Sequence, residues 1–121
     1  MKLPNAENAI IDIAKIRDYS LNPDHREGKH KARVFQSKLG ITRNDAEELR
    51  QQILEKILDV DAIEQQPNPY GRRFTVDVQI VRAEKFVVSL AVVRTAWIIR
   101  NDEDFPRLAS CYILKGVVGD G

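Results

Sequence analysis

Apolar residues in the N-terminal half of the chain recur at every third or fourth position, which is the spacing of an amphipathic helix. The clearest case predicts a helix over residues 29–39, with Ala32, Phe35 and Leu39 on the face that turns inward. Gly40 should end this helix, because glycine adopts the left-handed cap conformation at little cost. The pattern therefore predicts a helix that packs against a core.

Two further helices are predicted on either side of this one. A short helix over 14–21 should end at Asn22-Pro23, because the residue before a proline avoids helical geometry. Further along the chain, Thr42 is followed three positions later by Asp45, which is the pattern of a capping box at a helix start. The buried stripe of that third helix consists of Ala46, Leu49, Ile53, Ile57 and Val60.

The apolar period changes to two in the C-terminal half, which is typical of β-strands. Residues 74–80 alternate between apolar and polar side chains, as a half-buried strand requires. Residues 86–100 are expected to form one long bent strand or two. A last strand is predicted over 108–118 after an acidic turn at 101–106, whereas 65–71 is predicted to be a loop.

The N-terminal segment is expected to be less regular, with an irregular arm over 1–8 and a short strand over 9–13. Helices followed by consecutive strands predict an α+β fold. In this fold two to three N-terminal helices pack on one face of an antiparallel β-sheet formed by the C-terminal half. The length of 121 residues predicts a single domain over 1–121.

Composition and charge add little about partners, because the formal net charge is only +1. The charges are segregated, however, with a net of +4 over residues 22–43 and a net of −5 over 44–65. A basic face attracts nucleic acid, although ordinary alternating helix faces would give the same blocks. The single cysteine, Cys111, and the lack of an apolar leader predict a cytoplasmic protein with no membrane contact.

Neither a metal nor a cofactor is expected from the motifs. The two histidines, His25 and His30, are five positions apart rather than the four that would align two ligands on one helical face. No glycine-rich phosphate loop is present.

The turn before the 29–39 helix contains the residues best suited to chemistry. His25 follows Asp24 and is a candidate general acid or base, and the alternative is a loop histidine bonded to the backbone. Lys29 and Lys31 flank the helix start, where they either contact phosphate or face solvent. His30 points away from the predicted core and is expected to be a surface residue.

A second candidate region lies within 86–100. Arg94 would be costly beside apolar neighbours unless it were paired, so it either forms an ion pair with an acid such as Asp77 or clamps an anion. Thr95 faces the other side of the strand, and Trp97 is expected in the core, with base stacking as the alternative. Further candidates for contact with nucleic acid are Arg33, Arg72 and Arg73.

Several motifs, spread from about Asn5 to Leu114, resemble a small bacterial domain family of unknown function. They are Leu21-Asn-Pro-Asp-His25, Gly28-Lys29, Lys31-Ala32, Phe35, Leu39-Gly40, Tyr70-Gly71, Thr75-Val76-Asp77, Val93-Arg94-Thr95-Ala96-Trp97 and Pro106-Arg107-Leu108. Members of that family occur alone and at the C-termini of large secreted polymorphic toxins. In its occurrence at toxin C-termini and in the order of its helices and strands, the family is similar to the barnase, EndoU and RelE-like ribonuclease superfamily.

The resemblance implies a metal-independent toxin domain that acts on RNA, with attack of the ribose 2′-hydroxyl on the adjacent phosphate. It implies His25 as base or acid, and Lys29, Lys31 and Arg94 as stabilisers of the phosphate charge. Thr95 either positions the phosphate or, if it and Arg94 face opposite ways, has no role. RNA and an antidote or immunity protein would be the partners, and the oligomeric state stays unknown. The alternatives are a non-catalytic protein-binding module and an inactive toxin-like domain.

The chain departs from the family pattern in one segment. Glu84-Lys85-Phe86 stands where a glycine turn is expected, so the pairing of the middle strands stays open at this stage.

Overall fold

The C-terminal half of the chain forms one antiparallel sheet in the computed structural model, which describes residues 1–115. The strands are β1 (Ala62–Asn68), β2 (Gly71–Glu84), β3 (Val87–Arg100) and β4 (Arg107–Ile113). They lie in the order β1-β2-β3-β4, so each strand pairs with its neighbour in sequence. β2 and β3 are the longest strands and form the centre of the sheet.

The helices lie in the N-terminal half, as predicted. α1 (Ile13–Lys15) continues directly into a π-helical turn over Ile16–Ser20. α2 spans Lys29–Leu39, and α3 spans Ala46–Lys56 after a 3₁₀ turn over Arg43–Asp45. Within residues 1–115, no helix has both the length and the apolar character needed to cross a membrane.

The core lies between the helices and one face of the sheet. Over residues 74–80 of β2 and 91–99 of β3 every second side chain is buried, and Phe74 and Trp97 are the largest of these. From the helices, Phe35, Leu49 and Ile53 are fully buried against them. The α+β fold with helices on one face of an antiparallel sheet is therefore confirmed.

Local cap chemistry explains where α2 ends and the next helical segment begins. Gly40 has φ 65°, the left-handed conformation that glycine accepts, and its N–H donates to the Gln36 carbonyl. The Asp45 carboxylate accepts a hydrogen bond of 2.9 Å from the Thr42 N–H, which is the reciprocal half of a capping box. Both sequence signals are confirmed.

Several predicted boundaries differ from the structure. The third helix ends at Lys56, so Val60, which was predicted in its buried stripe, lies beyond the helix and is half-buried. The prediction of a strand over 9–13 is wrong. Within this segment only Ile10 forms a bridge to β4, and Asp12 caps α1 by accepting a hydrogen bond from the Ala14 N–H. The loop over 65–71 is also wrong in part, since β1 continues to Asn68. The last strand ends at Ile113, and residues 116–118 of that prediction lie outside the described residues.

The hairpin between β2 and β3 answers the question of how the middle strands pair. Glu84 pairs with Val87, so Lys85 and Phe86 form a two-residue turn. Lys85 has φ 51° and occupies the left-handed position that glycine or asparagine usually fills. Residues 86–100 therefore form one strand, apart from Phe86 in the turn.

Candidate functional site

The turn between the π-helical segment and α2 is held by a side chain that bonds to its own backbone. Nδ1 of His25 accepts hydrogen bonds of 3.0 Å from the N–H groups of both Glu27 and Gly28. At the other end of the turn, Asn22 Oδ1 accepts from the Asp24 N–H at 3.0 Å. These bonds fix the ring of His25 relative to the first turn of α2.

This bonding decides which form of the His25 ring is present. A nitrogen that accepts two N–H groups carries no proton, so the neutral ring carries its proton on Nε2. His25 therefore offers an N–H donor to a ligand, and its neutral form has no free lone pair for a general base. Of the two alternatives for His25, the structure shows a loop histidine whose Nδ1 is hydrogen-bonded to the backbone.

Tyr19 lies against the His25 ring. The two ring centroids are 4.6 Å apart with an interplanar angle of 68°, an edge-to-face contact. The turn comes this close because Gly28 has no side chain: a Cβ there would lie 2.2 Å from the Tyr19 carbonyl oxygen. Glycine at position 28 thus allows the π-helical turn and the start of α2 to touch.

Lys31 extends from α2 between two aromatic rings. Its Nζ lies 4.9 Å from the centroid of the Tyr19 ring and 5.6 Å from that of Tyr112 on β4. Within residues 1–115, Lys31 forms no ion pair with a carboxylate. Tyr19, His25, Lys31 and Tyr112 together are named the edge cluster, because they meet at the outer edge strand of the sheet.

Two cavities lie beside β4, one near each end of the edge cluster. The first has a volume of about 480 Å³, and the second about 370 Å³. The first is lined by Asp12, Ala14, Lys15, Asp18, Tyr19, His25, Ala109 and Ser110. The second is lined by His30, Lys31, Val34, Tyr112, Ile113, Leu114 and Lys115. Since each cavity includes members of the edge cluster, a ligand at Lys31 can extend to either side.

A β-bulge shapes the wall of the first cavity. The register between β3 and β4 shifts between Ala96 and Trp97, which pair with Ser110 and Leu108 respectively, so Ala109 is the extra residue. Because of this extra residue, Ala109 and Ser110 both line the first cavity.

The carboxylates in the first cavity already have partners. Asp12 caps α1, and Asp18 accepts hydrogen bonds from Arg17 at 2.8 Å and Arg43 at 2.9 Å. These two guanidinium groups lower the pKa of Asp18 to about 2. Asp18 therefore remains a paired carboxylate at neutral pH, and proton transfer is not its role.

Arg94, a predicted catalytic residue, forms an ion pair on the sheet face that the helices leave open. Its Nε and Nη2 donate to the two carboxylate oxygens of Asp77 at 2.8 and 2.9 Å. This carboxylate raises the pKa of Arg94, and Tyr112, which pairs with Arg94 across β3 and β4, adds to the effect. Arg94 thus borders the edge cluster through Tyr112, and two of the three guanidinium nitrogens of Arg94 are hydrogen-bonded to Asp77.

Thr95 lies on the opposite, helix-covered face of β3 and is fully buried. Its hydroxyl donates to the Val76 carbonyl and accepts from the Trp97 indole N–H, both at 2.7 Å. The structure therefore does not bring Thr95 to the edge cluster, because neither its hydroxyl nor its surface is accessible. Trp97 is a core residue, as expected.

The remaining predicted residues lie around or away from the edge cluster. Lys29 and Arg33 are on α2 near Lys31 in sequence, with Lys29 half-buried and Arg33 exposed. Arg72 pairs with Glu64, with Nε and Oε2 at 2.9 Å. Arg73 reaches the Gln66 carbonyl at 3.4 Å, so Arg72 and Arg73 serve the junction of β1 and β2.

Sequence reasoning missed the two tyrosines of the edge cluster. Tyr19 lies in the short helix predicted over 14–21 and Tyr112 lies in the last predicted strand, and neither position by itself indicates a site. The signal that points to Tyr112 is its register position opposite Arg94, which requires knowledge of the strand pairing. Within residues 1–115, no three side chains of the metal-ligating kinds come together as an ion site.

Comparison with known proteins gives a family match over nearly all of the described residues. A family model described as a domain of unknown function, DUF6883, matches residues 2–115. No curated protein matches the chain, and no solved structure matches it.

Proposed function

The chain belongs to the family described as a domain of unknown function, DUF6883, and since that description names no activity, we propose a function from the edge cluster. The domain is a metal-independent ribonuclease that binds a phosphodiester of RNA at Lys31 and promotes its cleavage. This proposal keeps His25 and Lys31 from the expected catalytic set. It adds His30 and leaves out Lys29, Arg94 and Thr95.

The observation that supports it best is the environment of Lys31. Contact with two tyrosine rings holds the ammonium group in place, at roughly 0.5 to 1 kcal/mol per ring, without neutralising its charge. An ammonium group has three N–H donors, and phosphate oxygens are suitable acceptors. Because no described carboxylate pairs with Lys31, its charge is available to an anion from solution.

The reaction is attack of the ribose 2′-oxygen on the adjacent phosphorus. The P–O5′ bond breaks, which leaves a 2′,3′-cyclic phosphate on one fragment and a 5′-hydroxyl on the other. Lys31 and the Nε2–H of His25 bind the phosphate oxygens, whose negative charge grows in the transition state. His30, which lines the second cavity, takes the proton from the 2′-hydroxyl, and water protonates the departing oxygen.

A cleavage assay tests this proposal. The purified domain is incubated with a short labelled RNA in the presence of EDTA, beside the variants His25→Ala, His30→Ala and Lys31→Met. We expect cleavage that EDTA does not stop and that Lys31→Met lowers by roughly 100-fold or more, the typical loss when one oxyanion donor is removed. Lys85→Asn removes a charge from the distant hairpin turn, where φ is 51°, and should leave the rate unchanged.

A chemical control separates cleavage by this domain from contamination. An RNA methylated at the 2′-oxygen cannot form the cyclic product and should remain intact. The proposal fails if the wild-type protein leaves the unmodified RNA uncut, or if Lys31→Met cuts as fast as the wild type.

Action as a toxin, with an antidote protein as partner, is the biological part of the proposal. Induced expression of the wild type should arrest growth, and expression of Lys31→Met should not. Co-expression of the antidote should restore growth with the wild type. Equal growth of cells that express the wild type and cells that express Lys31→Met would contradict the proposal that the domain is a toxin.

A second candidate function is a non-catalytic protein-binding module, which the apolar end of the β2–β3 hairpin favours. Phe86 is fully exposed, and Val87 and Val88 are 64% and 71% exposed. Exposed apolar groups at one end of a molecule are typical of protein-interaction surfaces. If a neighbouring gene product binds the wild type but not the double variant Phe86→Ser, Val88→Ser, and RNA stays uncut, the module or an inactive toxin-like domain is the correct function.

A further inference from the structure

We infer that the second cavity, between α2 and β4, binds one unpaired nucleobase, so that the substrate class is single-stranded RNA. This inference rests on the proposed function only in placing the adjoining phosphate at Lys31. Of the residues that line this cavity, the proposed cleavage uses only His30 and Lys31, and the inference adds a base-binding role for the rest of the wall.

The first argument is the shape and polarity of this cavity. Val34, Tyr112 and Leu114 give it apolar and aromatic walls, and its volume of about 370 Å³ is within the range of small-ligand sites. Tyr112 is half-buried, so its ring is held in place while part of it faces the cavity. A flat, aromatic ligand such as a nucleobase fits walls of this kind.

The second argument is charge complementarity. Among residues 1–115, the titratable side chains of the cavity wall other than Tyr112 are basic: His30, Lys31 and Lys115. By contrast, the first cavity includes Asp12 and Asp18. A ligand of the second cavity should therefore join an apolar ring to an anionic group, and a nucleotide within an RNA chain has both.

The third argument concerns the position of Lys31, which lines the second cavity. Its Nζ lies 5.6 Å from the centroid of the Tyr112 ring, so a phosphate bound at Lys31 is one nucleotide or less from this cavity. In a duplex the bases are paired and stacked, and their faces are not available to an aromatic side chain. Only an unpaired base can enter the second cavity while its phosphate contacts Lys31.

Binding to a chain that cannot be cleaved tests this inference separately from catalysis. The probe is a fluorescein-labelled single-stranded DNA oligonucleotide, which has no 2′-hydroxyl, measured by fluorescence anisotropy at fixed salt. Loss of one base–aromatic stack weakens binding by roughly 5- to 150-fold, so we expect a change of that size for Tyr112→Ala. Tyr112→Phe keeps the ring and should bind within about twofold of the wild type.

Two further probes keep the test informative if Tyr112→Ala folds poorly. Lys115 is exposed, and Lys115→Glu reverses a charge at the cavity, so it should weaken binding by about threefold or more without affecting folding. The same oligonucleotide in duplex form should bind at least about tenfold more weakly than the single strand. Equal affinity for duplex and single strand, or unchanged binding by folded Tyr112→Ala, would overturn the inference.

The possible outcomes distinguish this inference from the proposed ribonuclease. If the oligonucleotide binds through Tyr112 and RNA is never cut, the base site stands and the ribonuclease proposal fails. If RNA is cut and Tyr112→Ala changes neither KM nor oligonucleotide binding, the base site fails and the ribonuclease proposal stands.

Discussion

Gly28→Ala should disrupt the edge cluster, although Gly28 is not among the residues proposed to bind RNA. The new Cβ would lie 2.2 Å from the Tyr19 carbonyl oxygen and 3.0 Å from the Tyr19 carbonyl carbon. Ordinary contacts of carbon atoms are about 3.5 to 4.0 Å, so the backbone of the π-helical turn or of the Gly28 turn must move by about 1 Å. Overpacking of this kind costs roughly 1 to 3 kcal/mol, and here the contact is backbone, which cannot rotate away.

Urea unfolding, monitored by circular dichroism, measures this free-energy cost. We expect the free energy of unfolding of Gly28→Ala to fall by roughly 1 to 3 kcal/mol, and RNA cleavage to fall because Tyr19 and His25 separate. Gly40→Ala is the matched control, since a Cβ at Gly40 meets no atom within 4 Å and costs only the strain of its φ of 65°, about 1 kcal/mol. It should leave cleavage unchanged. A Gly28→Ala protein as stable and as active as the wild type would refute this reasoning.

Three other predictions concern groups around the site. Thr95→Val should lower the free energy of unfolding by roughly 1 to 3 kcal/mol in urea titrations, because it leaves the buried Trp97 indole N–H without its acceptor, whereas Thr95→Ser should cost less. The pKa of Asp18 is lowered to about 2 from 3.8, so its contribution to stability is complete above that ordinary value and is lost as pH falls toward 2. The difference in urea midpoint between the wild type and Asp18→Asn should therefore be constant from neutral pH to about pH 5 and shrink below it, and a constant difference down to pH 2 would contradict this. Burial raises the pKa of the Cys111 thiol to about 11, so a thiol reagent should label it only as the protein unfolds, and rapid labelling of the folded protein would be inconsistent with this burial.

The helices were predictable because their side chains bury in a stripe. Phe35 and Leu39 in α2, and Leu49 and Ile53 in α3, recur at helical spacing and are all buried. The capping groups at Gly40, after α2, and at Thr42 and Asp45, before α3, are local in sequence, so they too could be identified without the fold.

The first strand was not predictable by the same reasoning. β1 is an edge strand, and most of its side chains are exposed, so it shows no clear alternation. Its Pro67 also indicates a loop, although proline is accepted at the edge of a sheet, where its missing N–H breaks no ladder bond. What makes β1 a strand is its pairing with β2, which is a tertiary contact.

The candidate site was predictable in its location and not in its chemistry. The turn at His25 and the cation at Lys31 are visible in the sequence, whereas the rings that hold Lys31 come from segments more than ten residues away on either side. Arg94 was predicted either to form an ion pair or to clamp an anion. Only the strand register, which places Arg94 opposite Asp77, distinguishes the two. The role of His25 depends on the backbone N–H groups that reach Nδ1, and these follow from the turn conformation.

The most direct test of the edge cluster compares two lysines on the same turn of α2. The rate of RNA cleavage in EDTA is measured for Lys31→Met, which removes the cation between Tyr19 and Tyr112, and for Lys29→Met, which removes a charge two residues away. We predict a loss of roughly 100-fold or more for Lys31→Met and a loss of less than about tenfold for Lys29→Met. Equal losses for the two variants, or no loss for Lys31→Met, would contradict the assignment of the phosphate site to the edge cluster.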